Sequence, residues 1–146
     1  MRMLAVTTFF LFAAATCGEI KEYNSVRVEN PVTVKTDSGL EYTITAKGEG
    51  PQAKVGDQVI VHYTGRFSNG EKFDSSLDNG EPYKFTIGKS RVIQGWHEAF
   101  ALLHAGDKAT LKIPPHLAYG STDRNGIPAN STLFFEVELL GIAGAK

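Results

Sequence analysis

Cysteine is almost absent from this chain. Cys17 is the only one among 146 residues, so no intrachain disulfide and no thiolate zinc cluster can form. Neither sign of charge dominates: 15 Lys and Arg stand against 16 Asp and Glu, a formal net charge of −1. The signs are scattered, which excludes the basic stripe of a nucleic-acid binder and the basic face of a membrane-surface helix. No apolar run reaches the roughly 20 residues that a membrane-spanning helix needs. There is no repeat with a period of about 20–50 residues and no low-complexity tract. A Gly-x-Ser-x-Gly elbow and a phosphate-binding glycine loop are also missing. His62, His97, His104 and His116 have no acidic or cysteine partner to complete a ligand set, so no metal is expected.

What is present begins with an export pattern. Met1-Arg2-Met3 is short and positive, and Leu4 to Ala15 is apolar and uncharged. With the small residues that follow, this is the layout of a secretory signal peptide. Ala14-Ala15-Thr16-Cys17 resembles the lipobox of bacterial lipoproteins, whose cysteine thiol is alkylated by diacylglycerol. Ala14 and Thr16 depart from the preferred Leu and small residue, and plain cleavage after Ala15 is the other reading. Residues 1–17 are therefore expected to be a signal peptide with a candidate lipobox. The mature protein is expected outside the cytoplasm, periplasmic or membrane-anchored through Cys17, with no other membrane contact. Residues 18–37, of mixed charge and interrupted by Pro31, read as a tether. Alternation around Val26-Arg27-Val28 and Val32-Thr33-Val34 leaves an added edge strand as the alternative.

The folded domain is expected over residues 38–143. Leu40–Thr45, Gln58–Gly65, Tyr83–Ile87, Lys108–Ile113 and Thr132–Leu140 show strand alternation or β-rich composition, and Lys72–Ser76 a short edge segment. Ser68-Asn69-Gly70 is a hairpin-type turn. Between Trp96 and His104, apolar residues at Trp96, Ala99, Phe100, Leu102 and Leu103 fit a helix with one apolar face, capped near Gly106. The spacing predicts an α+β fold, a curled antiparallel sheet of about five strands wrapped around one short helix. Arg91-Val92-Ile93-Gln94-Gly95-Trp96 joins the two parts. A tryptophan at the start of that helix, facing the sheet, is placed to floor an apolar hole.

Five stretches then point one way: Val61-His62-Tyr63-Thr64-Gly65, Phe73-Asp74-Ser75-Ser76, Val92-Ile93-Gln94-Gly95-Trp96, Ala118-Tyr119-Gly120 and Leu133-Phe134-Phe135-Glu136-Val137-Glu138-Leu139. In this order and spacing the chain resembles the FKBP-type peptidyl-prolyl cis-trans isomerases, and with its N-terminal segment it resembles exported bacterial members. The resemblance implies isomerisation of X-Pro bonds in proline-containing polypeptides, binding of macrolide ligands, and no cofactor. It makes Trp96 the floor under the proline ring, with Tyr63, Phe73, Phe85, Val92, Ile93 and Phe135 as walls. The Ile93 N–H and the Tyr119 hydroxyl would hold carbonyls of the bound chain. Asp74 would orient the substrate and a wall tyrosine, making Asp74 and Tyr119 the expected catalytic pair. Ile127 would close over the ligand. Many relatives carry an arginine that pairs with this aspartate; Asn79 stands there instead. The loop Tyr119–Thr132 has no room for an inserted chaperone domain.

Each residue has a plainer reading. Phe85 and Phe135 at strand-interior positions are ordinarily core, and tyrosines often sit at pocket rims without a chemical role. Asp74 before two serines is ordinarily a turn cap. A non-catalytic proline-binding module and a surface interaction factor are the alternatives to an enzyme.

Overall fold

The computed structural model describes residues 22–124 and 126–143. The signal peptide and Cys17 lie outside that range. The elements are β1 (Ser25–Arg27), β2 (Thr33–Lys35), β3 (Glu41–Gly48), β4 (Gln58–Arg66), β5 (Lys72–Ser75), α1 (Ser76–Asn79), β6 (Tyr83–Thr86), α2 (Gln94–Phe100), β7 (Lys108–Ile113), a 3-10 turn (Pro115–Leu117) and β8 (Leu133–Ile142).

All strand pairings are antiparallel, in the order β1-β3-β7-β8-β4-β5. Both edges are shared. β4 pairs with β6 along Gln58–Val61 and with β5 along Thr64–Arg66. β3 takes β1 along Ala46–Gly48 and β2 along Glu41–Thr43. The sheet thus has eight strands rather than about five. Two of them come from the stretch read as a tether, so over 25–35 the edge-strand alternative is what the structure shows. Those strands are exposed throughout, which is why no continuous apolar pattern announced them.

Alternation sorts the two faces. In β7, Ala109, Leu111 and Ile113 are buried while Lys108, Thr110 and Lys112 are exposed. In β8, Leu133, Phe135, Val137 and Leu139 join them on the inner face. α2 lies over that face. Gly95, Trp96, Ala99 and Phe100 form its buried stripe, and its three side chains pack with Val59, Val61, Phe85, Leu111, Ile113 and Leu139 in one core.

The helix differs from the expectation at both ends. It starts at Gln94 and stops at Phe100, not His104. Beyond Phe100 the chain pairs with residues 51–53: the Ala53 N–H donates to the Leu103 carbonyl at 3.0 Å and the Ala105 N–H to the Pro51 carbonyl at 2.9 Å. This backbone pairing replaces another helical turn, although the apolar spacing through Leu103 is helical. Gly106, at φ +95°, serves the turn into β7 and not the helix end.

α2 comes close to β7 because Gly95 has no side chain. A Cβ there would lie 2.7 Å from Ile113 Cγ2, and Ile113 is fully buried. Alanine would gain about 1 kcal/mol of helix propensity, but overpacking a core contact costs about 1–3 kcal/mol. Gly95→Ala is therefore expected to destabilise, read as a lower midpoint in urea unfolding with an unchanged slope.

Candidate active site

One end of the barrel-like sheet holds a cavity of about 280 Å³ lined by Tyr63, Phe73, Asp74, Tyr83, Arg91, Val92, Ile93, Trp96, Tyr119 and Phe135. Five stretches distant in sequence meet there: β4, the segment from β5 to β6, the entry to α2, the loop after the 3-10 turn, and β8. A larger depression of about 350 Å³ is lined by outer-face residues that include Glu41, Arg66, Lys112 and Glu136. The ion pairs Lys112–Glu41 (3.4 Å) and Arg66–Glu136 (3.8 Å) border that region, and Trp96 is not part of its lining.

Trp96 lies at the centre of the aromatic cluster. Tyr63 (4.9 Å between ring centres), Phe135 (5.4 Å), Phe100 (5.5 Å) and Tyr83 (6.0 Å) all meet the indole edge-to-face. Phe85 packs at 5.6 Å with a smaller tilt of 40°. Edge-to-face aromatic pairs contribute about 0.5–1.5 kcal/mol each beyond burial. The ring is held from several sides and still lines the cavity, with 5% exposure. Its Nε1 is buried and has no hydrogen-bond partner among the described residues.

One expected wall, Phe85, and the residue expected to close over the ligand, Ile127, are not in the lining. Phe85, 2% exposed, packs against Trp96 and Phe100 and is not part of the lining. Ile127 is buried in the core cluster beside its bridge to Arg124 and does not line the cavity. Tyr63, Phe73, Asp74, Val92, Ile93, Trp96, Tyr119 and Phe135 do come together. Tyr83 and Arg91 were not foreseen. Tyr83 stands two residues before Phe85 and so shares its face of β6, a signal that alternation carried. Arg91 precedes an irregular stretch, and nothing in the pattern assigned it a direction.

Polar groups lock the β4–β5 wall. The Ser76 Oγ accepts the Tyr63 N–H at 2.8 Å, and the Thr64 and Ser75 hydroxyls meet at 3.0 Å. The Ser75 Oγ also caps α1 by accepting the Leu77 N–H. In front of them the Tyr63 hydroxyl donates to Asp74 Oδ2 at 2.6 Å. Burial first, and then this carboxylate, push the Tyr63 phenol well above its ordinary range, so it stays a donor. Asp74 has no ion-pair partner among the described residues, and the local cation Lys72 pairs with Asp78 at 2.9 Å instead. Asn79 closes α1, exposed, without a hydrogen bond to Asp74 among the described contacts.

Two donors in the lining are open. The Ile93 N–H and the Tyr119 hydroxyl donate to nothing among the described residues. Tyr119 is carried by a tight loop in which the Gly120 N–H donates to the Pro115 carbonyl (2.8 Å) and the Asn130 N–H to the Gly120 carbonyl (2.7 Å). The Arg124 guanidinium stands 5.9 Å from the Tyr119 ring centre. Apolar walls with two open donors can desolvate a planar group and hold its carbonyl oxygens.

Two outcomes follow from this geometry. Gly65 lies behind two walls: a Cβ there would sit 2.6 Å from Phe73 Cζ and 2.9 Å from Phe135 Cε1. Gly65→Ala is expected to displace both rings and raise KM several-fold while the protein stays folded by circular dichroism. The Tyr63 phenol holds its proton more tightly folded than unfolded, so its contribution to stability is complete below the unfolded value of about 10 and is lost as pH rises beyond it. Alkaline urea titrations are expected to show a shallower fall in stability for Tyr63→Phe than for the unmodified chain.

Residues 50–140 match the model of the family described as FKBP-type peptidyl-prolyl cis-trans isomerase. The chain is 46% identical over 117 residues to FK506-binding protein 1A of Neurospora crassa, covering 79% of this chain and 98% of that one. It is 50% identical over 106 residues to the peptidyl-prolyl cis-trans isomerase Fkbp12 of Drosophila melanogaster, covering 71% and 98%. With the isomerase FkpA of Aeromonas hydrophila it shares 43% identity over 84% of its own length and 45% of the other. Its structure resembles crystal structures of AtFKBP13 (TM-score 0.72, 37% identity, 77% of this chain and 99% of that one) and of FkpA from Escherichia coli (0.73, 40%, 81% and 55%). With the fold, the aromatic cavity and these likenesses together, the chain belongs to the FKBP-type peptidyl-prolyl cis-trans isomerases.

Proposed function

We propose that this isomerase turns X-Pro bonds over the indole of Trp96, and that it assists protein folding outside the cytoplasm. The observation that carries the first half is the cavity of about 280 Å³ with aromatic walls and two open donors. It is small beside the roughly 300–1,000 Å³ of drug-sized pockets, a size suited to one pyrrolidine ring and its flanking carbonyls.

Rotation about an X-Pro bond breaks no bond, yet its barrier is about 18–20 kcal/mol. The planar amide is held by resonance that places negative charge on oxygen. Twisting removes that charge separation, and water favours the polar planar form. A bond enclosed by Tyr63, Phe73, Trp96 and Phe135 loses that solvation, so the twisted form costs relatively less. Each ~1.36 kcal/mol removed speeds rotation tenfold. Trp96 bears the proline ring. The Ile93 N–H and Tyr119 hydroxyl fix the neighbouring carbonyls, so that the prolyl ring is gripped while the preceding group rotates. Asp74 acts through Tyr63, holding that phenol against the cavity. Macrolides of the kind named in the FK506-binding relative would enter the same slot and compete with peptide.

The export pattern of residues 1–17 supports a location outside the cytoplasm, and Cys17 is the candidate for lipid attachment. The mass of the natively expressed protein tests this: a lipid-sized increment on a chain starting at Cys17 supports the anchor, an unmodified chain starting at Thr16 supports plain cleavage, and a chain still starting at Met1 removes the export reading.

Trp96→Leu, which keeps apolar bulk, is expected to lose most of its acceleration of proline-limited refolding while retaining the folded spectrum. Full activity in that variant would remove the indole from the mechanism. Tyr119→Phe is expected to lose roughly fivefold in kcat/KM, the effect of one hydrogen bond of about 1 kcal/mol.

A further inference from the structure

Residues 88–93 run from β6 to α2 without regular structure, yet Val92 and Ile93 form one wall of the cavity. We propose that His97 is a positioning residue: its imidazole staples this loop to α2 and so sets where the Val92 side chain and the Ile93 N–H stand. It touches no substrate itself. The inference rests on the reading of Val92 and Ile93 as a substrate wall.

The imidazole uses both nitrogens. The Gly88 N–H donates to Nδ1 at 2.8 Å, and Nε2 lies 3.0 Å from the Ser90 carbonyl. A ring that accepts at Nδ1 and meets a carbonyl at Nε2 is neutral, with its proton on Nε2. The same Ser90 carbonyl accepts the Val92 N–H at 3.0 Å, so the staple reaches the wall through a single shared oxygen. Every other described hydrogen bond of residues 88–92 stays inside 86–92. Thr86 receives the N–H groups of Lys89 (3.2 Å) and Ser90 (3.1 Å) and gives its own to the Ser90 Oγ (2.8 Å). Residues 88–92 are therefore closed on themselves, and among the described contacts His97 alone ties them by hydrogen bonds to the helix, while Ile93 is held by the Trp96 N–H at its carbonyl. Gly88, at φ +85°, gives the turn that presents its N–H.

His97 is also bound to the floor. It follows Trp96 in α2, and its ring lies 6.2 Å from that of Phe85, which packs against the indole. One imidazole thus adds a link between the floor and this wall to the one made by the Trp96 N–H, which donates to the Ile93 carbonyl at 3.0 Å. Among the described residues His97 forms no ion pair, so its role is hydrogen bonding.

Three substitutions in the full chain separate the two bonds. His97→Leu removes both, His97→Asn retains an acceptor near Nδ1, and His97→Gln retains a donor near Nε2. Initial rates are measured to saturation with a proline tetrapeptide. Peptide binding is followed by the fluorescence of Trp96, the only tryptophan in the chain, and stability by urea unfolding. If the loop populates its binding arrangement less often, apparent affinity falls by that fraction. His97→Leu is expected to raise KM roughly five- to tenfold, since one hydrogen bond is worth about a factor of five, with kcat within about twofold. His97→Asn and His97→Gln are expected to lie between it and the unmodified chain. Val59→Ala, a core change with a comparable stability loss, is expected to leave KM unchanged. An unchanged KM in His97→Leu overturns the proposal, as does a KM that follows stability alike in the histidine and Val59 variants. Should His97→Leu not fold, an unchanged KM in both His97→Asn and His97→Gln overturns it. Failure here with Trp96→Leu still inactive sinks the staple alone. Activity surviving in Trp96→Leu sinks the reading of the cavity.

Discussion

The structure depends on one packing arrangement, a short helix pressed against a curled sheet so that an indole is gripped on several sides and left open on one. Phe85 and Phe100 support the ring from the core, Tyr63, Tyr83 and Phe135 meet its edges, and the cavity occupies what is left. The contact is possible because Gly95 lets α2 approach Ile113. A floor held this firmly does not reorganise as a substrate twists, and fixed apolar surroundings are what a reaction without covalent chemistry can use.

The polar part of the site follows from the same enclosure. A half-buried phenol and an exposed carboxylate share one short hydrogen bond, and that bond leaves Tyr63 a donor and gives Asp74 a partner where no cation pairs with it among the described residues. A guanidinium partner would have placed a charge at the cavity edge. Here the carboxylate is held by a neutral group, and the cations near the opening are Arg91 in the lining and Arg124 beside Tyr119.

The two edges of the sheet show how economical the architecture is. Each of the strands β3 and β4 accepts two short neighbours end to end, which covers a long edge with pieces of three or four residues. On the β4 side those pieces carry Phe73, Asp74 and Tyr83 to the cavity. On the β3 side they carry exposed Val26 and Val34 and are remote from the site in the order of strands. The break in each edge is thus used differently: one delivers walls, the other extends the sheet.

Strand alternation in β7 and β8, the turn glycines, and the ordered motifs around Tyr63, Asp74, Trp96, Tyr119 and Phe135 were legible in the chain itself, because burial of one face imposes a period of two and a family pocket imposes residue types at fixed intervals. Other features were not. Whether Tyr83 or Phe85 faces the cavity depends on how far along β6 the enclosure extends, and both share one face. Ile127 is drawn into the core by its loop, and α2 ends early because a distant backbone segment takes its hydrogen bonds. The residue order by itself determined the aromatic chemistry and the strands that bear it. Tertiary structure alone decided which of those rings remain reachable, since exposure is set by what packs on the other side and not by neighbours along the chain.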